Sequence, residues 1–113
     1  MALQLYGLKN CDSCRAALKA LDEAGIEVAF RDVRNEGVPP DVLRRALDDH
    51  GADKVINRRS TTWRGLDEAA RAGDPVDLLA ANPPLMKRPL MVLADGAIII
   101  GWDDGTRAAL GLA

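Results

Sequence analysis

The sequence predicts an α/β fold: a strand–helix–strand half and a strand–strand–helix half share one mixed sheet flanked by helices, with a helical insertion between the halves. Three observations carry that expectation. A short apolar run at 3–6 is followed at once by an amphipathic stretch and then by alternation over 27–32. Two further apolar runs, at 90–93 and 97–100, flank Asp95-Gly96. The segment between these halves is patterned as helices punctuated by proline, asparagine and aspartate.

The run at 3–6 reads as a first strand, stopped by Gly7. Asn10 stands where a cap is expected for the next helix, which starts at Cys11 or Asp12 and runs to Ala24. Cys14, Leu18 and Leu21 recur at helical spacing and give it one buried stripe; Gly25 ends it. Over 27–32, Val28 and Phe30 face one way and Glu27, Ala29 and Arg31 the other, which makes a second strand. Strand–helix–strand within about 30 residues implies a parallel pair with a right-handed crossover.

Val38-Pro39-Pro40-Asp41 launches another helix, with Val42, Leu43, Ala46 and Leu47 inward and an end near His50-Gly51. The stretch 58–64 is polar, basic and surface-like, shorter helices are expected over 66–72 and 75–81, and Asn82-Pro83-Pro84 breaks the chain. Asp95-Gly96 suits a two-residue hairpin turn, because both positions tolerate positive φ. A last helix is expected over 103–110.

Composition narrows the function. With 113 residues the chain is expected to form one domain, and 48% hydrophobic against 28% charged residues excludes disorder. A net charge of −2 excludes the broad basic surface of an autonomous nucleic-acid binder, though not a local patch. No stretch approaches the roughly 20 apolar residues of a membrane span. The N-terminal residues lack a basic start and a long apolar run, so no signal peptide is expected and the cytoplasm is the expected compartment. A permanent structural disulfide is not expected there, so two cysteines three apart need another explanation.

Cys11-Asp12-Ser13-Cys14 follows the first strand and opens the first helix. A thiol at a helix N-terminus meets unsatisfied N–H donors and the positive end of the dipole, which favours its thiolate. Lys9 and Arg15 are candidates to add to that effect. Cys11, at the mouth, is the expected nucleophile, and Cys14, one turn in on the apolar stripe, the expected resolving thiol. Three duller readings stand beside this one. The pair is half of a zinc site, for which only His50 remains as a further good donor; Cys14 is merely a small core residue; or both cysteines are inert.

Three motifs then occur in order: Tyr6-Gly7-x3-Cys11-Asp12-Ser13-Cys14-Arg15-x-Ala17, Asn57-Arg58-Arg59-Ser60-Thr61-Thr62-Trp63-Arg64, and Asn82-Pro83-x-Leu85-x-Lys87-Arg88-Pro89, followed by Val92 and Gly101-Trp102. Together they resemble the ArsC/Spx family, in particular its small YffB-like branch, over essentially the whole chain. The resemblance implies a thioredoxin-like (glutaredoxin-type) fold with a helical insertion. It also implies that Pro89 is the cis-proline that faces the active cysteine; the alternative is a proline that merely starts an edge strand. Arg88 would sit near Cys11 to stabilise the thiolate or bind a glutathione carboxylate or an oxyanion, against the alternative of a solvated surface arginine.

With Arg88 and Pro89, the expected substrate-binding set comprises Lys9, Asn10 and Arg58. Arg58, Arg59 and Arg64 cluster around Trp63; the expected role of that tryptophan is to anchor the insertion, rather than to stack bases of a single strand. Arsenate reductases of the family carry two anion-binding arginines where this chain has Asn57 and Gly101, which argues against arsenate as substrate. The first expectation is a glutathione-dependent thiol reductase acting as a monomer. Glutathione or a small protein thiol donor is the co-substrate, with no tightly bound cofactor, no metal, and neither nucleic acid nor membrane as a direct partner. The alternative is an Spx-like redox-sensing regulator that binds the α subunit of RNA polymerase. Against it, this chain is shorter at its C-terminal end.

Overall fold

Alternation along Leu3-Gln4-Leu5-Tyr6-Gly7 sends Leu3, Leu5 and Gly7 to one face of a strand and Gln4 and Tyr6 to the other. In the computed structural model, which describes residues 2–112, this strand is β1 (Leu3–Gly7). It lies between β2 (Val28–Asp32) and β3 (Leu90–Val92), with β4 (Ile98–Ile100) outermost, in the order β2-β1-β3-β4. β1 pairs parallel with β2 and antiparallel with β3, and β3 antiparallel with β4. The result is the mixed sheet flanked by helices that the sequence leads one to expect. The chain divides into two compact units: the described residues up to Asp32 with those from Arg88 onward, and Val33–Lys87.

In the first unit the register places Val28 beside Leu3, Phe30 and Met91 beside Leu5, and Ile99 beside Met91, all on the face that carries Gly7. Helix α1 (Asp12–Glu23) covers that face with Ala17 and Leu21, and Leu18, Trp102 and Leu110 complete the cluster. A buried leucine contributes roughly 1.5–3 kcal/mol. A one-residue slip of β1 would turn both Leu3 and Leu5 outward, so the register is strongly specified. Ala17, not read from the sequence as inward, is fully buried, whereas Leu18 is only half-buried.

Helix α1 ends through a left-handed Gly25 (φ 76°). The Ile26 N–H donates to the Leu21 carbonyl at 2.9 Å and the Gly25 N–H to the Asp22 carbonyl at 3.0 Å, while Ile26 packs on the Leu21 cluster. The β3–β4 hairpin differs from the expected two-residue turn. Asp95 has no positive φ; only Gly96 does, at 91°. The Gly96 N–H donates to the Leu93 carbonyl and the Leu93 N–H to the Ala97 carbonyl, both at 2.9 Å. A type I turn followed by a left-handed glycine therefore makes a three-residue loop. A reciprocal capping box between Asp103 and Thr106 starts the last helix (Asp104–Ala109).

The second unit is helical. Its longest element, α3 (Pro40–His50), buries Val42, Leu43 and Ala46; α7 (Pro75–Ala81) begins behind the Asp74 cap and buries Leu78 and Leu79. The helix expected over 66–72 is the single turn α6 (Glu68–Arg71). Three further one-turn helices, α2 (Val33–Glu36), α4 (Ala52–Val55) and α5 (Thr61–Arg64), have no counterpart in the sequence reading. No helix among the described residues is long and apolar enough to cross a membrane.

Candidate active site

β1 runs out at Gly7, and a turn through Leu8-Lys9-Asn10 follows, closed by the Cys11 N–H donating to the Leu8 carbonyl at 3.2 Å. The turn uses up Asn10, so the N-cap of α1 falls on Cys11 (φ −90°, ψ 124°), not on the asparagine. Asn10 and Lys9 are exposed just outside the helix. No side-chain cap closes α1, and of its first turn the Cys14 N–H acts on the Cys11 sulfur.

Both cysteines are free thiols; Cys11 is half-buried and Cys14 fully buried. The inward stripe of α1 drops Cys14 onto β1 at Gly7: a β-carbon built on Gly7 would lie 2.4 Å from the Cys14 sulfur. Burial by itself would raise the Cys11 pKa. The Cys14 N–H, the Cys14 thiol and the Arg88 guanidinium, which hydrogen-bonds and attracts the thiolate, outweigh it and hold Cys11 below the ordinary thiol value. Cys14 is pushed the other way, to about 11, first by burial and then by the negative sulfur of Cys11; the Leu8 backbone and Arg88 only partly offset this. Cys14 therefore keeps its proton at neutral pH, and Cys11 is the more readily ionised of the two thiols.

Arg88 and Pro89 arrive from the other side. Tyr6 pairs with Leu90, so one step further along the antiparallel ladder Pro89 reaches the level of Gly7. The Arg88–Pro89 bond is cis, Pro89 is fully buried, and its carbonyl accepts the Gly101 N–H at 2.8 Å. Arg88 is thus the cation that acts on Cys11. Arg15, expected to share that role, instead donates to the Lys9 carbonyl at 2.9 Å.

Arg58 belongs to the second unit, where it pairs with Asp53 and stacks over Trp63, 5.5 Å from the ring centroid. Arg71 stacks on the same ring at 5.0 Å and donates to the Trp63 carbonyl. Trp63 is therefore a half-buried anchor inside the insertion, its π-system already engaged by two guanidinium groups. Arg58 also lines an open polar cleft of about 420 Å³ with Asn57, Arg59 and Lys87. Gly7 is the site residue that sequence reasoning passed over. Its signal was a residue without a side chain at an inward strand position, opposite a helix that presents a thiol.

The opposed shifts predict the order of reactivity. Limiting alkylation near pH 6 followed by peptide mass spectrometry should label Cys11 well before Cys14, because only the thiolate reacts and only Cys11 is accessible. Preferential labelling of Cys14 would reverse the assignment.

The sequence pattern of the ArsC family matches residues 6–109. An uncharacterized protein of Haemophilus influenzae is 40% identical over 106 residues, 90% of this chain and 92% of its own length. The global transcriptional regulator Spx of Staphylococcus epidermidis is 28% identical over 105 residues, 88% of this chain and 79% of its own. Among solved structures, a YFFB protein superposes with a TM-score of 0.86 at 36% identity, over 96% of this chain and 97% of its own.

Proposed function

This chain belongs to the ArsC family, and on that premise we propose that it is a cytoplasmic, glutathione-linked thiol–disulfide oxidoreductase acting through Cys11 and Cys14. The observation that carries the reading is the division of labour between the two thiols: an accessible Cys11 whose pKa is lowered beside Arg88, and a buried Cys14 held protonated with its pKa pushed up to about 11.

In the proposed cycle the Cys11 thiolate attacks one sulfur of a disulfide, forms a mixed disulfide and expels the other sulfur as a thiolate, which takes up a proton. Cys11 is now neutral, and the negative sulfur that raised Cys14 is gone. The Cys14 pKa falls, so the first step activates the second. Cys14 gives up its proton and attacks the Cys11 sulfur; the intramolecular disulfide forms and the second substrate thiolate leaves. The substrate disulfide gains the two electrons the pair loses. Two glutathione thiols then return the pair to the dithiol state and leave as glutathione disulfide. A cation suits a carboxylate-bearing thiol, and Arg88 supplies one at the sulfur; on this reading Lys9, Asn10, Pro89 and Arg58 are the further binding residues. The reading uses no tightly bound cofactor or metal; among the described residues no group of three or more His, Cys, Asp or Glu is placed to hold a metal ion.

Turnover of a small mixed disulfide by the monomer, with glutathione regenerated by glutathione reductase, is the test. Activity with neither glutathione nor a dithiol protein donor overturns the reading. In the same assay arsenate reduction should be absent or weak. The Asn57 side chain is turned to its own loop, accepting the Arg59 N–H at 3.1 Å, and Gly101 sits at φ 87°, where a residue with a side chain is strained. A rate within the roughly 1–10³ s⁻¹ range of ordinary enzymes would show that Arg58 and Arg88 suffice.

The similarity to Spx over most of the chain favours one second reading: a redox-sensing regulator that uses the same disulfide and binds the α subunit of RNA polymerase. If only the oxidised protein captures the polymerase α chain, and glutathione turnover is absent, the regulator reading holds.

A further inference from the structure

We propose that Gly7 is the positioning residue for the resolving thiol: β1 presents a bare Cα because the Cys14 sulfur occupies the space where a β-carbon would stand. The inference rests on the proposed role of Cys14 and adds what determines how fast its disulfide closes. Gly7 holds an inward place in β1, where the same alternation puts the core residues Leu3 and Leu5. A large apolar side chain is what that pattern leads one to expect. A β-carbon there would instead lie 2.4 Å from the Cys14 sulfur and 3.3 Å from both the Cys14 Cβ and the Leu5 Cδ2.

Backbone freedom is not the reason for this glycine. Gly25, Gly37, Gly51, Gly96, Gly101 and Gly111 adopt positive φ; Gly7 does not, and it is held in register opposite Asp32. The demand is for space, and it is made by one sulfur. Cys14 has a single side-chain torsion, and in a first helical turn the staggered positions open to it are few. A methyl group on residue 7 would swing the sulfur into another well or lift the first turn of α1 from the sheet. Either movement breaks the hydrogen bond from the Cys14 thiol that helps to lower the Cys11 pKa, and it spoils the line along which Cys14 must attack.

The experiment uses the reduced full chain and dithionitrobenzoate. Attack by Cys11 forms a mixed disulfide and releases one thionitrobenzoate. Attack by Cys14 then releases a second and closes the protein disulfide, and the reagent takes up the two electrons lost by the thiols. Gly7→Ala should slow the second release relative to the first by on the order of 10²-fold, the scale of an ångström-sized misplacement. It should also lower the melting temperature, and most of that loss should disappear in a Cys14→Ala background, where only the 3.3 Å contacts remain. If Gly7→Ala fails to fold, folding of Gly7→Ala/Cys14→Ala supports the proposal and failure of both overturns it. An unchanged second release, or melting losses that simply add, also overturns it. A protein with Gly7 intact that makes no second release overturns the resolving role of Cys14 itself, and the proposal with it.

Discussion

Cys11→Ser should abolish glutathione-dependent turnover down to the uncatalysed background, whereas Cys14→Ser should retain the first attack and stop there. Serine at the mouth of α1 offers no thiolate at any workable pH, and the buried Cys14, with its pKa pushed up to about 11, cannot take over. In Cys14→Ser the Cys11 thiolate still has the Cys14 N–H position and Arg88 beside it, so it still opens the substrate disulfide. Nothing then attacks the mixed disulfide from within, and intact-mass spectrometry should find one glutathione on the chain, removable by excess thiol. The wild-type protein should instead give an intramolecular disulfide in a monomer. Turnover by Cys11→Ser, or a stable glutathione adduct on the wild type and not on Cys14→Ser, would assign the roles the other way round.

Much of this site is written in local sequence because local physics decides it. The first strand fixes its faces by alternation, Gly25 ends the helix by adopting a left-handed conformation, and Asp103 with Thr106 starts another through paired hydrogen bonds. Such features depend on neighbours within a few residues and can be read from them. The cap of α1 was misplaced by one residue, because Asn10 has the better capping side chain but the turn closed by the Leu8 carbonyl absorbs it. The one-turn helices α2, α4 and α5 left no period to detect: four residues show no repeat, and such turns persist only through packing. Arg88 shows the other limit. It lies far along the chain from Cys11, and only the register of β3 against β1 brings it there; family resemblance marked the position, but no spacing in the sequence could. The reverse holds for Arg15, close in sequence to Cys11 yet turned to the Lys9 carbonyl.

Arg88→Ala should move the pH dependence of Cys11 to higher pH and change stability in a way that depends on redox state. The guanidinium lowers the Cys11 pKa through both a hydrogen bond and its charge, and acts by charge in the same direction on Cys14. Without it both thiols shift upward, so alkylation near pH 6 slows severalfold while the rate at high pH is kept. Arg88→Lys keeps the charge and loses the fork, and should fall between the two. For stability, a thiol whose folded pKa is depressed contributes stability that is present above its unfolded value and is lost as pH falls through its folded value. Removing Arg88 should therefore destabilise the reduced protein more at about pH 9 than at about pH 5. In the disulfide form Cys11 has no proton to lose, and the two pH values should show the same change. The same argument gives a redox sign: stabilising the thiolate favours the reduced pair, so losing Arg88 makes the disulfide harder to reduce. Paired melts of the reduced and oxidised protein, with the alkylation profile of each variant, test all of this. A profile that stays in place while stability drops equally in both redox states would make Arg88 a packing residue and remove it from the chemistry of Cys11.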